Sequence, residues 1–170
     1  MSTDATSRTH PTHLTHLTRR PLVVAGLLLG VGMGGFVDGI VFHQILQLHN
    51  MLSAVRPPTT VVNIETNMVW DGLFHAFTWV TTLIGIVALF RAGGRDDVVW
   101  SGRVLGGSML AGWGAFNLIE GLIDHHLLGV HHVVETLGLS VWDYVYLGSG
   151  VAFLAAGGLI VRSARPRDGG

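Results

Sequence analysis

The sequence predicts an all-α integral membrane protein, a four-helix transmembrane bundle built from two like-oriented two-helix repeats. The first observation is composition: 49% of the 170 residues are hydrophobic, only 12% are charged, and the mean hydropathy is +0.50. The second is distribution, because the apolar residues form runs near the length of about 20 residues that a membrane helix needs. These four runs cover residues 22–42, 68–90, 104–123 and 144–161.

The third observation is an acid and histidine motif that occurs twice. Asp38, His43 and His49 recur with the same internal spacing as Glu120, His125 and His131. The pair Trp70-Asp71, near the start of the second run, recurs just before the fourth run as Trp142-Asp143. Because each unit contains two spans, we expect the units to have the same orientation, related by a pseudo-two-fold axis along the membrane normal.

Arginine supplies all ten basic residues, and nine of them lie in the termini and in the loop between the second and third runs. Basic residues are concentrated on the cytoplasmic side of membranes, so we expect both termini in the cytoplasm. Residues 1–20 and 166–170 are expected to be cytoplasmic tails, the first of them disordered. Residues 21–165 are expected to form one domain, with repeats at about 22–90 and 104–161.

Small residues recur every four positions on three of the predicted helices. They are Gly26, Gly30, Gly34, Gly107, Ala111, Ala115, Gly148, Ala152 and Ala156. Small side chains allow membrane helices to approach closely, so we interpret these positions as packing surfaces.

Ionisable side chains gather at the outer end of the predicted bundle, where an unpaired charge is costly. At a rise of about 1.5 Å per residue, His43, His75 and His125 reach a common depth on three helices. The chain has no cysteine, so imidazole and carboxylate are the metal ligands it offers. The sequence therefore predicts a divalent transition-metal site completed by a carboxylate; the alternative is a satisfied polar contact between helices.

The candidate ligands comprise seven histidines and five carboxylates. They are His43, His49, His75, His125, His126, His131, His132, Asp38, Asp71, Glu120, Asp124 and Asp143. Leu147 stands at the position equivalent to His75, so a symmetric pair of sites is not expected. The principal site is expected at His43, His75 and His125. Asp71 and Asp143 have the alternative role of capping their helices.

A straight helix cannot aim the whole motif inward. At about 100° per residue, His43 lies about 140° from Asp38, and His49 lies about 120° from His43 on the other side. We therefore expect a π-bulge or bend near Gly39, or separate roles for the three side chains.

The leading functional hypothesis is an integral membrane metalloprotein whose site opens to the outer side; whether it is an enzyme is left open. In an enzyme, Asp38 or Glu120 would accept a proton. The alternatives are a haem-binding electron carrier with histidine axial ligands, an ion conduit through the same acids, and an accessory subunit of a respiratory complex. The expected partner is the lipid bilayer, a second copy or a respiratory complex is left open, and nucleic acid is not expected.

Several of these motifs also resemble a known family. The sequence contains Asp-Gly-x-x-x-His, Asp-Gly-x-x-His and Glu-Gly-x-x-Asp-His-His at residues 38–43, 71–75 and 120–126. Over about residues 22–161 they resemble a family of small bacterial membrane proteins classed as a domain of unknown function. The resemblance implies four spans in the bacterial inner membrane and supplies no activity. Relatives that occur beside proteins of cytochrome oxidase assembly and copper handling favour copper, with zinc and iron left open.

Overall fold

The computed structural model describes residues 17–164, which form a bundle of four long helices. The helices are α1 (Arg20–Val37), α2 (Val61–Gly93), α3 (Gly102–Glu120) and α4 (Val141–Ser163). Helix α1 continues as the π-helical segment π1 (Asp38–Ile45), and α3 continues as π2 (Gly121–Leu127). The predicted all-α class is confirmed. Of the expected tails, residues 1–16 and 165–170 lie outside the described part of the chain.

Local sequence signals set where the helices begin. Helix α1 has proline in its first turn, where the missing N–H has no helical partner to lose. Helix α2 begins well before the apolar run at residue 68, because Thr60 caps it by accepting a hydrogen bond from Asn63 N at 3.3 Å. Ser140 and Asp143 form a capping box at the start of α4.

Three helical segments within residues 17–164 are long and apolar enough to cross a membrane. They are Arg20–Ile45, Val61–Gly93 and Val141–Ser163. The fourth predicted span corresponds to α3, which is less apolar because it is rich in glycine and carries Ser108 and Asn117 among its buried residues. Helix α3 packs against both α1 and α4, so much of its surface contacts protein, whereas α2 and α4 expose large apolar side chains suited to lipid.

Helices α1 and α3 lie at the centre of the bundle and pack directly on each other. They run in the same direction, since Gly26 faces Ser108 and Gly34 faces Trp113 further along both helices. At the closest approach, Gly30 meets the backbone carbonyl of Met109, and Gly112 meets that of Leu27, with no room for a Cβ at either glycine. The two contacts are equivalent, because the register of the repeat pairs Gly30 with Gly112 and Leu27 with Met109.

The contacts of the outer helices, α2 and α4, are also equivalent in the two halves. Gly39 of π1 faces His75 of α2, and Gly121 of π2 faces Leu147 of α4. Deeper in the bundle, Gly85 meets the backbone of Leu29, and Gly157 meets that of Ala111. Each outer helix therefore runs antiparallel to its central partner in the same register, which gives the two like-oriented halves that the sequence predicts.

The two ends of the bundle differ in chemistry. At one end, α1 and α3 begin, α2 and α4 end, and a small apolar core of Leu22, Ala92, Val98, Val104 and Ala164 closes the structure. Arginines crowd this end, from Arg19 and Arg20 to Arg91, Arg95, Arg103 and Arg162. The opposite end carries π1, π2 and the two loops that follow them, and it holds the acids and histidines of the motif that both halves share.

Candidate metal centre

The two π-helical segments turn the acids and histidines of the repeated motif towards the interior of the bundle. Leu46 N donates to Val41 O at 2.8 Å, and Leu128 N donates to Ile123 O at 2.7 Å, so each bond spans five residues instead of four. The wider turn changes the angular spacing of the side chains that follow Asp38 and Glu120. The expected π-bulge near Gly39 is confirmed, and its equivalent occurs in the second half.

Four buried imidazoles, those of His43, His49, His125 and His131, lie together beneath the loops; we call them the four-histidine cluster. Their ring centroids are 4.5 Å apart for His43 and His49, and 4.8 Å apart for His125 and His131. The rings of His49 and His131 stack across the pseudo-two-fold axis, with centroids 4.7 Å apart and planes 9° from parallel. Each half thus supplies one histidine from its π-helical segment and one from its loop.

Carboxylates of the outer helices lie beside the Nδ1 atoms of the two π-segment histidines. His43 Nδ1 donates to Asp71 Oδ1 at 3.0 Å, and His125 Nδ1 lies 3.2 Å from Asp143 Oδ1. Asp143 also accepts from Ser140 N at 2.8 Å, so its expected capping role is real and coexists with the histidine contact. Asp71 lies inside α2 and does not cap it. A carboxylate behind an imidazole fixes the ring and raises its basicity as a ligand.

Backbone carbonyls from the opposite half orient the two loop histidines. His49 Nδ1 donates to Val133 O at 3.0 Å, and His131 Nδ1 donates to Met51 O at 3.1 Å. A carbonyl can only accept, so these two nitrogens carry the proton, and each Nε2 of a neutral ring presents its lone pair.

All four Nε2 atoms face two further carboxylates. Asp38 lies 3.0 Å from His43 Nε2 and 3.8 Å from His49 Nε2. Glu120 lies 4.0 Å from His125 Nε2 and 3.4 Å from His131 Nε2. Within residues 17–164, none of these Nε2 atoms has a hydrogen-bond partner of acceptable geometry, and neither do Asp38 Oδ2 and Glu120 Oε1. Buried polar atoms normally find partners, so this set is suited to binding a cation.

The two loop histidines, which lie outside the helical spans, differ in charge preference. Burial lowers the pKa of His49 to about 4, so its imidazole is neutral at pH 7. Burial also opposes a charge on His131, but its contact with Glu120 outweighs that effect and raises the pKa. Neutral imidazole is the metal-binding form, which His49 already has.

Two groups of side chains in the described residues place their ligand atoms within 4.8 Å of one another, as metal binding requires. One is His43, His49 and His131; the other is Glu120, His125 and His131. His75 belongs to neither group, and His43 and His125 belong to different groups, so the predicted trio His43, His75 and His125 does not converge on one point. The imidazole of His75 packs against Gly39, and its Nδ1 is held by Asp71 O at 2.7 Å.

The remaining predicted ligands lie outside the four-histidine cluster. Asp124, His126 and His132 are half-buried and belong to neither group. His126 Nδ1 donates to Gly121 O at 2.7 Å, and His132 Nδ1 lies 3.6 Å from Asp143.

One side chain of the site, Tyr146, is absent from the ligands and neighbours predicted from the sequence. Its hydroxyl donates a hydrogen bond to Glu120, and its ring lies 5.3 Å from that of His125. The equivalent residue in the first half is Phe74, which stacks on His43 at 5.6 Å but has no hydroxyl to offer Asp38. The register that aligns Trp70-Asp71 with Trp142-Asp143 also pairs these two aromatics, and it could have identified Tyr146.

Fold and site together define a helical membrane protein with a buried cluster of histidines and carboxylates at one end. Residues 25–164 match a family described as predicted membrane protein (DUF2243). The match covers most of the chain, so this protein belongs to that family, as the resemblance in its motifs indicates. Neither a curated protein nor a solved structure gives a significant match.

Proposed function

We propose that the protein is a membrane metalloprotein that binds a divalent transition metal at the four-histidine cluster, with Asp38 and Glu120 as carboxylate ligands. The observation that carries the proposal is the direction of the imidazoles. Three Nδ1 atoms are engaged as donors and the fourth faces Asp143, while all four buried Nε2 atoms point inward without a hydrogen-bond partner in the described chain. A histidine held through one nitrogen and free at the other is the usual arrangement of a metal ligand.

The charge distribution supports an outward-facing site. The arginine-rich end of the bundle carries the helix termini at residues 20, 93, 102 and 163, and the site lies at the other end, whose sole arginine among the described residues is Arg56. Under the positive-inside rule the arginine-rich end is cytoplasmic. The site then opens to the outer face of the bacterial inner membrane, and both chain termini are cytoplasmic.

The ligand set favours copper, zinc or iron, because imidazole suits all three and no thiolate is present. Copper is our first choice because the family resemblance of the motifs implies a link to copper handling. A bound copper or iron would supply redox chemistry, and zinc would supply a Lewis acid. The chain's own part is to hold the imidazoles through Asp71, Asp143 and the loop carbonyls, and to shield the cluster from water by burial. The protein acts in metal handling or in redox chemistry.

The test is elemental analysis of protein purified in mild detergent without added metal. We expect stoichiometric copper, zinc or iron in the wild type and a loss of at least half of it in His43→Ala. His126→Ala is the matched control, since that half-buried histidine lies outside the cluster. Protein without metal, or His43→Ala with full occupancy, would contradict the proposal.

An absorption spectrum of the same sample separates the haem alternative. Carboxylates lie beside both pairs of imidazoles, a setting that suits a small cation better than a macrocycle. We expect no Soret band; a Soret band that disappears in His43→Ala would establish haem instead.

A further inference from the structure

We infer that the centre holds two adjacent divalent cations, one in each half of the bundle. One is bound by Asp38, His43 and His49, and its counterpart by Glu120, His125 and His131. This inference rests on the proposed function and extends it, because binding of a metal at the cluster does not by itself determine how many ions bind.

The first argument is that each half contains a complete ligand set. In the first half one carboxylate approaches two Nε2 atoms, at 3.0 and 3.8 Å, and in the second half the corresponding distances are 4.0 and 3.4 Å. Two imidazoles and one carboxylate form a recurrent ligand set for transition metals that leaves positions free for other ligands. The repeat therefore places two such sets side by side.

The second argument is charge. Asp38, Asp71, Glu120 and Asp143 are all at most 5% exposed. Their ion-pair partners in residues 17–164 are histidines, whereas the arginine pair of that range joins Arg95 to Asp97 elsewhere. Metal binding requires neutral imidazoles, including that of His131, so the four buried carboxylates of a loaded centre need four positive charges from the metal, because buried charges are destabilising unless compensated. Two divalent ions meet that requirement, whereas a single ion leaves two negative charges for protonated histidines such as His131 to balance.

The third argument concerns a single ion bound by all four imidazoles. Each group whose ligand atoms lie close together contains three residues, and neither group contains both His43 and His125. The first group takes His131 from the second half, and Asp38 joins His43 and His49 through its own contacts at 3.0 and 3.8 Å. An ion bound by the four imidazoles alone would leave Asp38 and Glu120 as buried anions beside it. The stacked rings of His49 and His131, 4.7 Å apart, instead set the two halves next to each other. His131 belongs to both groups, so it lies at the boundary between the two ions.

The experiment is a metal titration of the full chain in detergent, stripped with a chelator and reloaded with Zn²⁺ or with Cu²⁺. After removal of excess metal, bound ions are counted by elemental analysis and by native mass spectrometry. We expect two equivalents in the wild type and one in each of the matched variants His43→Ala and His125→Ala. Electron paramagnetic resonance of the Cu²⁺ form should show spin coupling between neighbouring ions, and the coupling should vanish in both variants.

The outcomes separate the two claims. One equivalent in the wild type overturns the two-ion inference and leaves the proposed metal site standing. No bound metal overturns both. Should either variant fail to fold, as judged by size-exclusion chromatography and circular dichroism, the wild-type count and its spin coupling still decide the question. Two uncoupled equivalents would also overturn the inference, because they would place the second ion away from the cluster.

Discussion

The two halves of the bundle have the same backbone arrangement but place different side chains around the shared cluster. The glycine contacts, the π-helical segments and the orienting acids occur in both halves. Two neighbouring positions break the equivalence, since Phe74-His75 in α2 corresponds to Tyr146-Leu147 in α4. As a result Glu120 receives a phenol hydrogen bond, while Asp38 receives none from the equivalent ring. Both halves place an outer-helix acid beside the π-segment histidine, and the outer helices determine how Asp38 and Glu120 differ.

Removing the carboxylate of one half should have the largest effect. In Asp38→Asn and in Glu120→Gln, we expect the affinity for one metal equivalent to fall by about 100-fold or more, since loss of a direct ligand should exceed the effect known for residues behind the ligands. Competition with a chelator of known affinity measures the loss. Equal weakening of both equivalents by either variant would show that the halves do not bind separately.

The acids behind the histidines should matter less than the ligands. Asp71→Asn and Asp143→Asn should each lower the affinity of their own half by about 10- to 100-fold. Asp71→Asn should also destabilise the fold by about 1–3 kcal/mol, because Asp71 accepts bonds from Asn50 Nδ2 and Met51 N, both at 2.8 Å. Chelator competition and thermal unfolding in detergent measure these two effects; unchanged affinity in both variants would assign the acids a structural role alone.

The hydroxyl of Tyr146 is the main chemical difference between the halves. Tyr146→Phe makes the second half resemble the first and frees a lone pair of Glu120 for a metal. We expect the metal ion held by Glu120, His125 and His131 to bind about tenfold more tightly, which corresponds to about 1.4 kcal/mol. The reciprocal variant Phe74→Tyr should weaken the other equivalent. A result in which Tyr146→Phe weakens binding would mean that the phenol positions Glu120 for the metal.

A smaller difference lies in the loops. Gln47 has a φ of 50°, and its equivalent Gly129 has a φ of 56°. Glycine adopts this left-handed conformation without steric strain, whereas glutamine does not. Gln47→Gly should therefore stabilise the protein by about 0.5 kcal/mol, after allowing for the greater freedom of glycine in the unfolded chain. Thermal unfolding measures the change, and Gly129→Gln should destabilise by a similar amount.

The smallest effect is expected at His75. His75→Leu copies the second half, and because His75 lies outside both ligand groups, we expect metal stoichiometry to stay unchanged. Elemental analysis of this variant decides whether His75 is a ligand, as the sequence predicts, or lies outside the ligand set, as in the structure. Loss of one equivalent would restore His75 as a ligand and would count against the division of the cluster by halves.

The sequence predicted the bundle and its repeat, and it named the acids and histidines that lie together at one end, for identifiable reasons. Apolar runs define membrane helices, and the register of the repeated motif already pairs Asp38 with Glu120 and His43 with His125. The inward direction of these side chains required a π-bulge, which the helical wheel also indicated. Residue counting along each helix also predicted the depth of these side chains.

The position of His75 outside both ligand groups has a physical cause. Residue counting gives depth but not rotation about the helix axis, and the wider π turns change that rotation for His43 and His125. The loop carbonyls of Met51 and Val133 could not have been predicted, because a backbone contact between loops leaves no pattern in side-chain chemistry. The same limit applies to the stacking of His49 on His131.

Those two carbonyl contacts bear on how such a protein can have arisen. Each half holds the loop histidine of the other, so a lone two-helix unit would lack the acceptor for its own histidine. Two identical units would supply that acceptor to each other, which makes a homodimer the simplest self-sufficient ancestor. Gene fusion then removes the constraint that both copies change together. Within one chain the equivalent positions can differ, as Phe74 and Tyr146 do, so a single polypeptide can give a symmetric scaffold two unlike halves.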